Sequence, residues 1–380
     1  MNSRERIIAA LGHREPDRLP FDLGSTQVSG IHVQAYRNLR AYMGLPAAGL
    51  LMSDVIQQLA LPDEDLIERL GVDVRGLFPL NSHNWQIKNL DGGNAFEYVD
   101  EWGIIHRRMK PDGLYYSVVK NPLSETALDL DILSTYPWPD TGDPQRIAGL
   151  RQQALGFRSQ GKAVVLKGVL AGIFEMSQRL RGMKNCLMDM VANEAAICAL
   201  FDKMLELKLA FWEMALPGLA DVVDVIAEGD DYGTQTSLFI SPKMFRKQLK
   251  PRLKVLFERI KQLAPQTRIF FHSCGSVRAL LPDFIELGVD IFNPVQIGAV
   301  GMEPLALKRD FGRELVFWGG GVDTQTVLPY GTPQQVREDV RRNVEALAPG
   351  GGFVFNTVHN IQADVPPENI LAMWEAMCEV

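Results

Sequence analysis

The feature that most constrains this chain is a rhythm that begins near residue 160. Short apolar runs bounded by turn residues alternate with stretches of helical periodicity. The runs are Ala163–Gly168, Val222–Ala227, Arg268–Ser273, Val289–Pro294, Leu315–Gly319 and Phe353–Thr357. Between them lie helical stretches over Met176–Met214, Pro242–Leu263, Val277–Leu287, Pro304–Phe311 and Pro333–Leu347. Ser241-Pro242 and Thr332-Pro333 are cap-plus-first-turn pairs, so two of these helices have defined starts. Strands that are apolar nearly throughout, each followed by a helix, specify a parallel sheet covered on both faces. No Gly-x-Gly-x-x-Gly follows a strand, which argues against an open dinucleotide-binding sheet. The expected fold is therefore α/β: a (β/α)8 TIM barrel spanning 1–380 as one domain. Residues 1–135 contain an N-terminal α+β extension, and the remaining strands are sought within 15–120. The first residues read as a short helix closed by Gly12 and a Pro16–Pro20 turn.

In such a barrel the strand C-termini build the site, and here those ends are unusually polar. They read Glu228-Gly-Asp230-Asp231, His272-Ser-Cys274, Asn293-Pro-Val-Gln296, Trp318-Gly-Gly-Gly-Val-Asp323 and Asn356-Thr-Val-His359-Asn360. Side chains alternate along a strand, so His272 and Cys274 point the same way. One imidazole and one thiolate suit a borderline-soft cation such as Zn²⁺. His359 follows another strand at the same end, and His272, Cys274 and His359 are the candidate metal ligands. Glu228 is a further carboxylate, either an exchangeable ligand or a substrate contact. Three protein ligands with one open position describe a catalytic rather than a structural zinc. Cys186, Cys198 and Cys378 fall in helical stretches and read as structural.

Composition narrows the function classes. The net charge is −7 with interspersed signs, which argues against nucleic acid or an anionic membrane as principal partner. No apolar run approaches the roughly 18 residues of a membrane span. The N-terminus carries no apolar signal segment, and the four cysteines show no disulfide spacing, so a reducing cytoplasm is expected.

Five stretches carry a resemblance: Gly229-Asp-Asp-Tyr-Gly-Thr-Gln-Thr236, Ile240-Ser-Pro-Lys-Met-Phe245, Phe271-His-Ser-Cys-Gly275, Val289-Asp-Ile-Phe-Asn-Pro294 and Pro367-Glu-Asn-Ile370. Through them the chain resembles the uroporphyrinogen decarboxylase superfamily, which includes the methylcobalamin:coenzyme M methyltransferases. The resemblance implies a (β/α)8 barrel. The methyltransferase branch binds zinc through a His-x-Cys pair, here His272 and Cys274, and a later cysteine. His359 stands in that later place, which is a departure. The decarboxylase branch uses no metal and carries an arginine-bearing N-terminal motif. Phe21–Gly30 occupies that place here without it.

The leading expectation is a zinc-dependent methyltransferase. It moves a methyl group between a small methylated substrate or thiol and methylcobalamin on a separate corrinoid protein, since no Asp-x-His-x-x-Gly corrinoid motif occurs in the chain. In this reading Glu228 and Asp231 orient substrate or assist proton transfer, and Asn293, Gln296, Asp323 and Asn360 line the pocket. The alternatives are a cofactor-free uroporphyrinogen decarboxylase and a non-catalytic binder of a corrinoid or methylated compound.

Overall fold

A computed structural model describes residues 1–47 and 49–379. Seven parallel strands form one sheet: β1 (Val74–Leu77), β2 (Ala163–Lys167), β3 (Val225–Gly229), β4 (Arg268–His272), β5 (Ile291–Asn293), β6 (Val316–Trp318) and β7 (Phe353–Val354). They lie side by side in chain order from β7 to β1. The segment around Phe21 fills the gap between the two edges. Phe21 pairs in parallel with Phe355. Asp22 N–H donates to the Phe355 carbonyl at 3.0 Å, and Asp73 N–H donates to the Phe21 carbonyl at 2.9 Å. Counting this segment, eight strand positions close the ring, and the fold is a TIM barrel.

The barrel strands read as continuous apolar runs because both of their faces are buried. Val165, Val225, Ala227, Phe270, Ile291, Val316, Trp318 and Val354 fill the lumen. The alternate residues Leu166, Ile226, Ile269, Phe271, Phe292 and Phe317 pack outward under the helices. This is the period-two alternation of a strand. The helix Ser3–Leu11 starts on an Asn2 capping box. Its Ile7, Ala10 and Leu11 join the lumen cluster. Its Arg6 holds Asp73 at 2.7 Å and its Arg4 holds Asp224 at 2.9 Å, the residues that precede β1 and β3. The N-terminal helix therefore plugs the bottom of the barrel, and only the top is left for a site.

Two expectations are refined. Residues 1–135 do more than extend a barrel, because the Phe21 segment and β1 are staves of it. The remainder includes an antiparallel sheet of Lys88–Gly92, Ala95–Val99, Ile105–Met109 and Ser117–Lys120. The stretch Met176–Met214 lies within three helices rather than one: Ile173–Arg181, Met183–Ala192 and Glu194–Leu219. Gly182, at φ +80°, breaks the first junction, and Asn193, at φ −139° and ψ 53°, breaks the second. Among the described residues no helix is long and apolar enough to cross a membrane.

Candidate metal centre at the barrel mouth

His272, Cys274 and His359 converge at the top of the barrel, with one donor atom from each within 4.8 Å of the others. His272 is the last residue of β4, and its Nε2 lies 3.3 Å from the Cys274 Sγ. Two glycines make the arrangement possible. Gly229 sits opposite His272 across the β3–β4 ladder, where an added Cβ would stand 2.9 Å from the His272 Cβ. Gly275 turns the chain at φ +88°, and a Cβ there would meet the Gly233 backbone at 2.5 Å. The Cys274 amide is fixed by Asp231 Oδ1 at 2.8 Å, and the Gly275 amide by Gln296 Oε1 at 2.6 Å.

The His272 ring is held from behind. Its Nδ1 bonds Asn293 Oδ1, and Asn293 Nδ2 donates to the Trp318 carbonyl. Since Asn293 Nδ2 is committed as a donor, its oxygen accepts from Nδ1–H. That tautomer leaves the Nε2 lone pair facing Cys274. Burial lowers the His359 pKa to about 4, helped by the neighbouring His272, so His359 is a neutral imidazole at pH 7. Burial, with Asp231 and Glu175 nearby, raises the Cys274 thiol well above its ordinary value. The donor set fits zinc. A tetrahedral zinc with two nitrogens and a sulfur spaces its donors roughly 3.3–3.6 Å apart. Both imidazoles offer lone pairs, and the thiol proton of Cys274 is the one a cation would displace.

The trio stands between two cavities. The larger, about 510 Å³, includes His272, His359, Asp231, Lys167, Trp85 and Trp102 in its wall. The smaller, about 350 Å³, is lined by Cys274, His359, Gln296, Asn360, Gln325 and Gln362 among others. His359 belongs to both walls.

A model of the uroporphyrinogen decarboxylase family matches residues 113–380. The chain belongs to that family. The uroporphyrinogen decarboxylase of Psychromonas ingrahamii is 39% identical over 51 residues, a match spanning 13% of this chain and 14% of that relative. Among solved structures, a methyltransferase from Methanosarcina mazei superposes with a TM-score of 0.60 at 18% identity. That superposition covers 100% of this chain and 99% of the other. Its weight is that of a shared fold.

On this uroporphyrinogen decarboxylase-family barrel the other expected site residues divide. Asp231 is in the larger cavity, 3.7 Å from His272 Nε2. Gln296 and Asn360 line the smaller cavity. Asn293 acts on His272 rather than lining either cavity wall. Asp323 caps its own turn, accepting from the Gln325 and Thr326 amides at 2.6 and 3.2 Å, while Thr324 and Gln325 supply the wall. Glu228 does not join the metal trio. Its strand neighbours Ala227 and Gly229 face the lumen side, so its side chain turns outward to the helix Glu194–Leu219. There Lys208 Nζ and Trp212 Nε1 each donate to it at 2.6 Å. It also reaches the wall of the larger cavity, with both oxygens engaged by Lys208 and Trp212.

Sequence reading alone missed several wall residues. Tyr98, Asp100 and Trp102 come from the antiparallel sheet and the turn after its second strand, and they lie over the larger cavity. Lys167 ends β2 in register with the in-facing Ala227. A lysine closing an otherwise apolar strand was a signal available in the sequence. Asp230 accepts the Phe174 and Glu175 amides, both at 2.8 Å, and so seats the helix Ile173–Arg181 beside the cavity.

Proposed function

We propose that this protein is a zinc-dependent methyltransferase acting between a small methylated substrate or thiol and a corrinoid carried by a partner protein. The observation that carries the reading is the His272–Cys274–His359 trio, its donors within 4.8 Å of one another at the junction of two cavities. Bound there, zinc supplies Lewis acidity that keeps a substrate thiol ionised at neutral pH or polarises a methyl-bearing heteroatom. His272 and His359 hold the ion as neutral ligands, and Cys274 holds it as a thiolate. Asn293 keeps the His272 ring in one tautomer. Asp231 fixes the Cys274 backbone and stands 3.7 Å from His272 Nε2. The two cavities allow donor and acceptor to approach the trio from different sides. This suits a reaction in which the methyl carrier sits on another protein.

The test is elemental analysis of protein purified without added zinc, wild type beside Cys274→Ser, paired with a methyl-transfer assay using methylcobalamin and a thiol. The expected result is about one equivalent of zinc in the wild type and loss of zinc in the variant. Less than about a tenth of an equivalent in the wild type, with no metal-dependent transfer, ends the proposal.

The family match favours a second reading, cofactor-free decarboxylation of uroporphyrinogen. A substrate bearing up to eight carboxylates needs a strongly basic cleft. In the larger cavity Lys167 and Arg179 share the wall with Asp54, Asp100, Glu101, Glu175, Glu228 and Asp231. Turnover of uroporphyrinogen in the presence of chelator would establish this alternative. A purely binding role instead predicts corrinoid or methyl-compound capture with no turnover in either assay.

A further inference from the structure

The wall of the larger cavity contains a lysine, Lys167, with no direct partner among the described residues. Each carboxylate in that wall has a donor of its own. Glu101 is held by Arg146 at 2.6 Å, Glu228 by Lys208 at 2.6 Å, and Glu175 by Arg179 at 2.6 Å. Asp100 is held by His106 at 2.8 Å and by the Trp102 and Ile104 amides, both at 2.9 Å. Asp54 takes the Gln57 amide at 2.8 Å, and Asp231 takes that of Cys274 at 2.8 Å. Among the described residues, no hydrogen bond or ion pair engages the Lys167 ammonium. It is the one charged side chain in that wall left in this state.

Its position is set by the sheet. Ala163 and Val165 belong to the lumen cluster, so Lys167, next in the alternation, also projects inward. It is level with Ala227 and Phe270, one strand pitch below His272. With one strand between β2 and β4, the backbones of Lys167 and His272 are separated by roughly 10 Å across the sheet. The cavity of about 510 Å³ that Lys167, His272 and His359 all line has room for a ring-sized molecule. Trp85, Tyr98 and Trp102 stand in the same wall and offer flat apolar surface.

We propose that the larger cavity takes its methylated substrate by an oxyanion end, a carboxylate or equivalent group seated on Lys167, with a flat apolar body against Trp85, Tyr98 and Trp102 and the methyl-bearing end directed at His272 and His359. This rests on the methyltransferase reading of the same site and names the substrate class that reading left open. An incoming anion gives the ammonium the partner the fold withholds, which makes it more than a solvated surface contact. A neutral or cationic analogue leaves the ammonium unpaired in a partly apolar site.

The experiment is calorimetric titration of the full chain, with and without EDTA, using para-methoxybenzoate, its neutral counterpart anisole, and para-methoxybenzylammonium. The carboxylate is expected to bind roughly 10-fold or more tighter than anisole, and the ammonium compound more weakly than either. Lys167→Met, shown folded by its melting curve, should erase the preference for the anion. Lys167→Arg should retain part of it, and EDTA should leave it intact. Four results would overturn the proposal: no binding of the carboxylate, equal binding of anisole, unchanged anion preference in Lys167→Met, or loss of that preference to chelator alone. The last would put the carboxylate on a metal instead. Anion selectivity through Lys167 in a protein that holds no zinc would refute the methyltransferase reading and leave this one standing. A zinc-loaded protein without that selectivity would do the reverse.

Discussion

Replacing Glu228 with alanine tests whether this residue holds the fold or serves the chemistry. In the structure the Glu228 side chain is 4% exposed and Lys208 is 2% exposed, with Nζ and Oε2 at 2.6 Å. The second oxygen accepts the Trp212 indole N–H at 2.6 Å. Glu228→Ala leaves an ammonium and an indole N–H buried without an acceptor. Stranding one partner of a buried ion pair costs about 3–5 kcal/mol, so about 4 kcal/mol is a fair central value. Unfolding entropy near about 2.1 cal/mol/K per residue gives roughly 0.8 kcal/mol/K for 380 residues. The melting temperature should therefore fall by about 5 °C. The companion variant Lys208→Met with Glu228→Leu removes both charges and fills the space. It removes the stranded charge but still leaves the Trp212 indole N–H without an acceptor, so it should recover to within about 1–3 kcal/mol, or about 1–4 °C, of the wild type. Scanning calorimetry of the wild type, Glu228→Leu, Lys208→Met and the double variant completes a coupling cycle. The structural assignment fails if Glu228→Ala melts within about 1 °C of the wild type, or if the double variant loses as much as the two singles together. A double variant that is stable but inactive would return Glu228 to the chemistry.

Two further predictions follow from the site. Asn293→Ala deprives His272 Nδ1 of its acceptor, and zinc affinity should drop about 10- to 100-fold. Competition with a chromophoric chelator reads this directly, and an unchanged affinity would remove Asn293 from the metal site. Burial pushes the Asp230 carboxyl from 3.8 up to about 7, against the donors from Phe174, Tyr232 and Glu175. The folded protein then keeps a proton that the unfolded chain sheds across that window. This group's contribution to stability is full below about pH 4 and is lost as pH rises toward about 7. Asp230→Asn should flatten that part of the melting-temperature profile between about pH 4 and pH 7. A variant profile parallel to the wild type would refute the assignment.

Much of the barrel was legible because its signals are local. Each of the six apolar runs overlaps a strand from β2 to β7, and Pro304–Phe311 and Pro333–Leu347 are helices with those limits. The His272 and Cys274 pairing needed only strand periodicity, and a 3.3 Å approach of their donor atoms agrees with it. Glu228 misled only in part: it lines the larger cavity, but its ion pair with Lys208 was not foreseen because its strand parity was not counted. Placed one residue out of phase with Ala227, it belongs to the helix side. Asp323 misled in a similar way, since a turn cap and a pocket carboxylate look alike in a linear string.

From the order of its residues alone, this chain establishes a parallel barrel and a paired imidazole and thiol at one strand end, because alternation and turn chemistry act over a few residues. Three-dimensional packing decides the rest. It brings the Phe21 segment against Phe355 to close the ring, and it sets His359 beside His272 with ring centroids 5.8 Å apart. Among the described residues it also gives every carboxylate around the larger cavity a donor while leaving Lys167 without an acceptor. Such pairings join residues tens to hundreds of positions apart. Their existence depends on which side chains the closed barrel and its covering sheet leave within reach, and no local pattern encodes that.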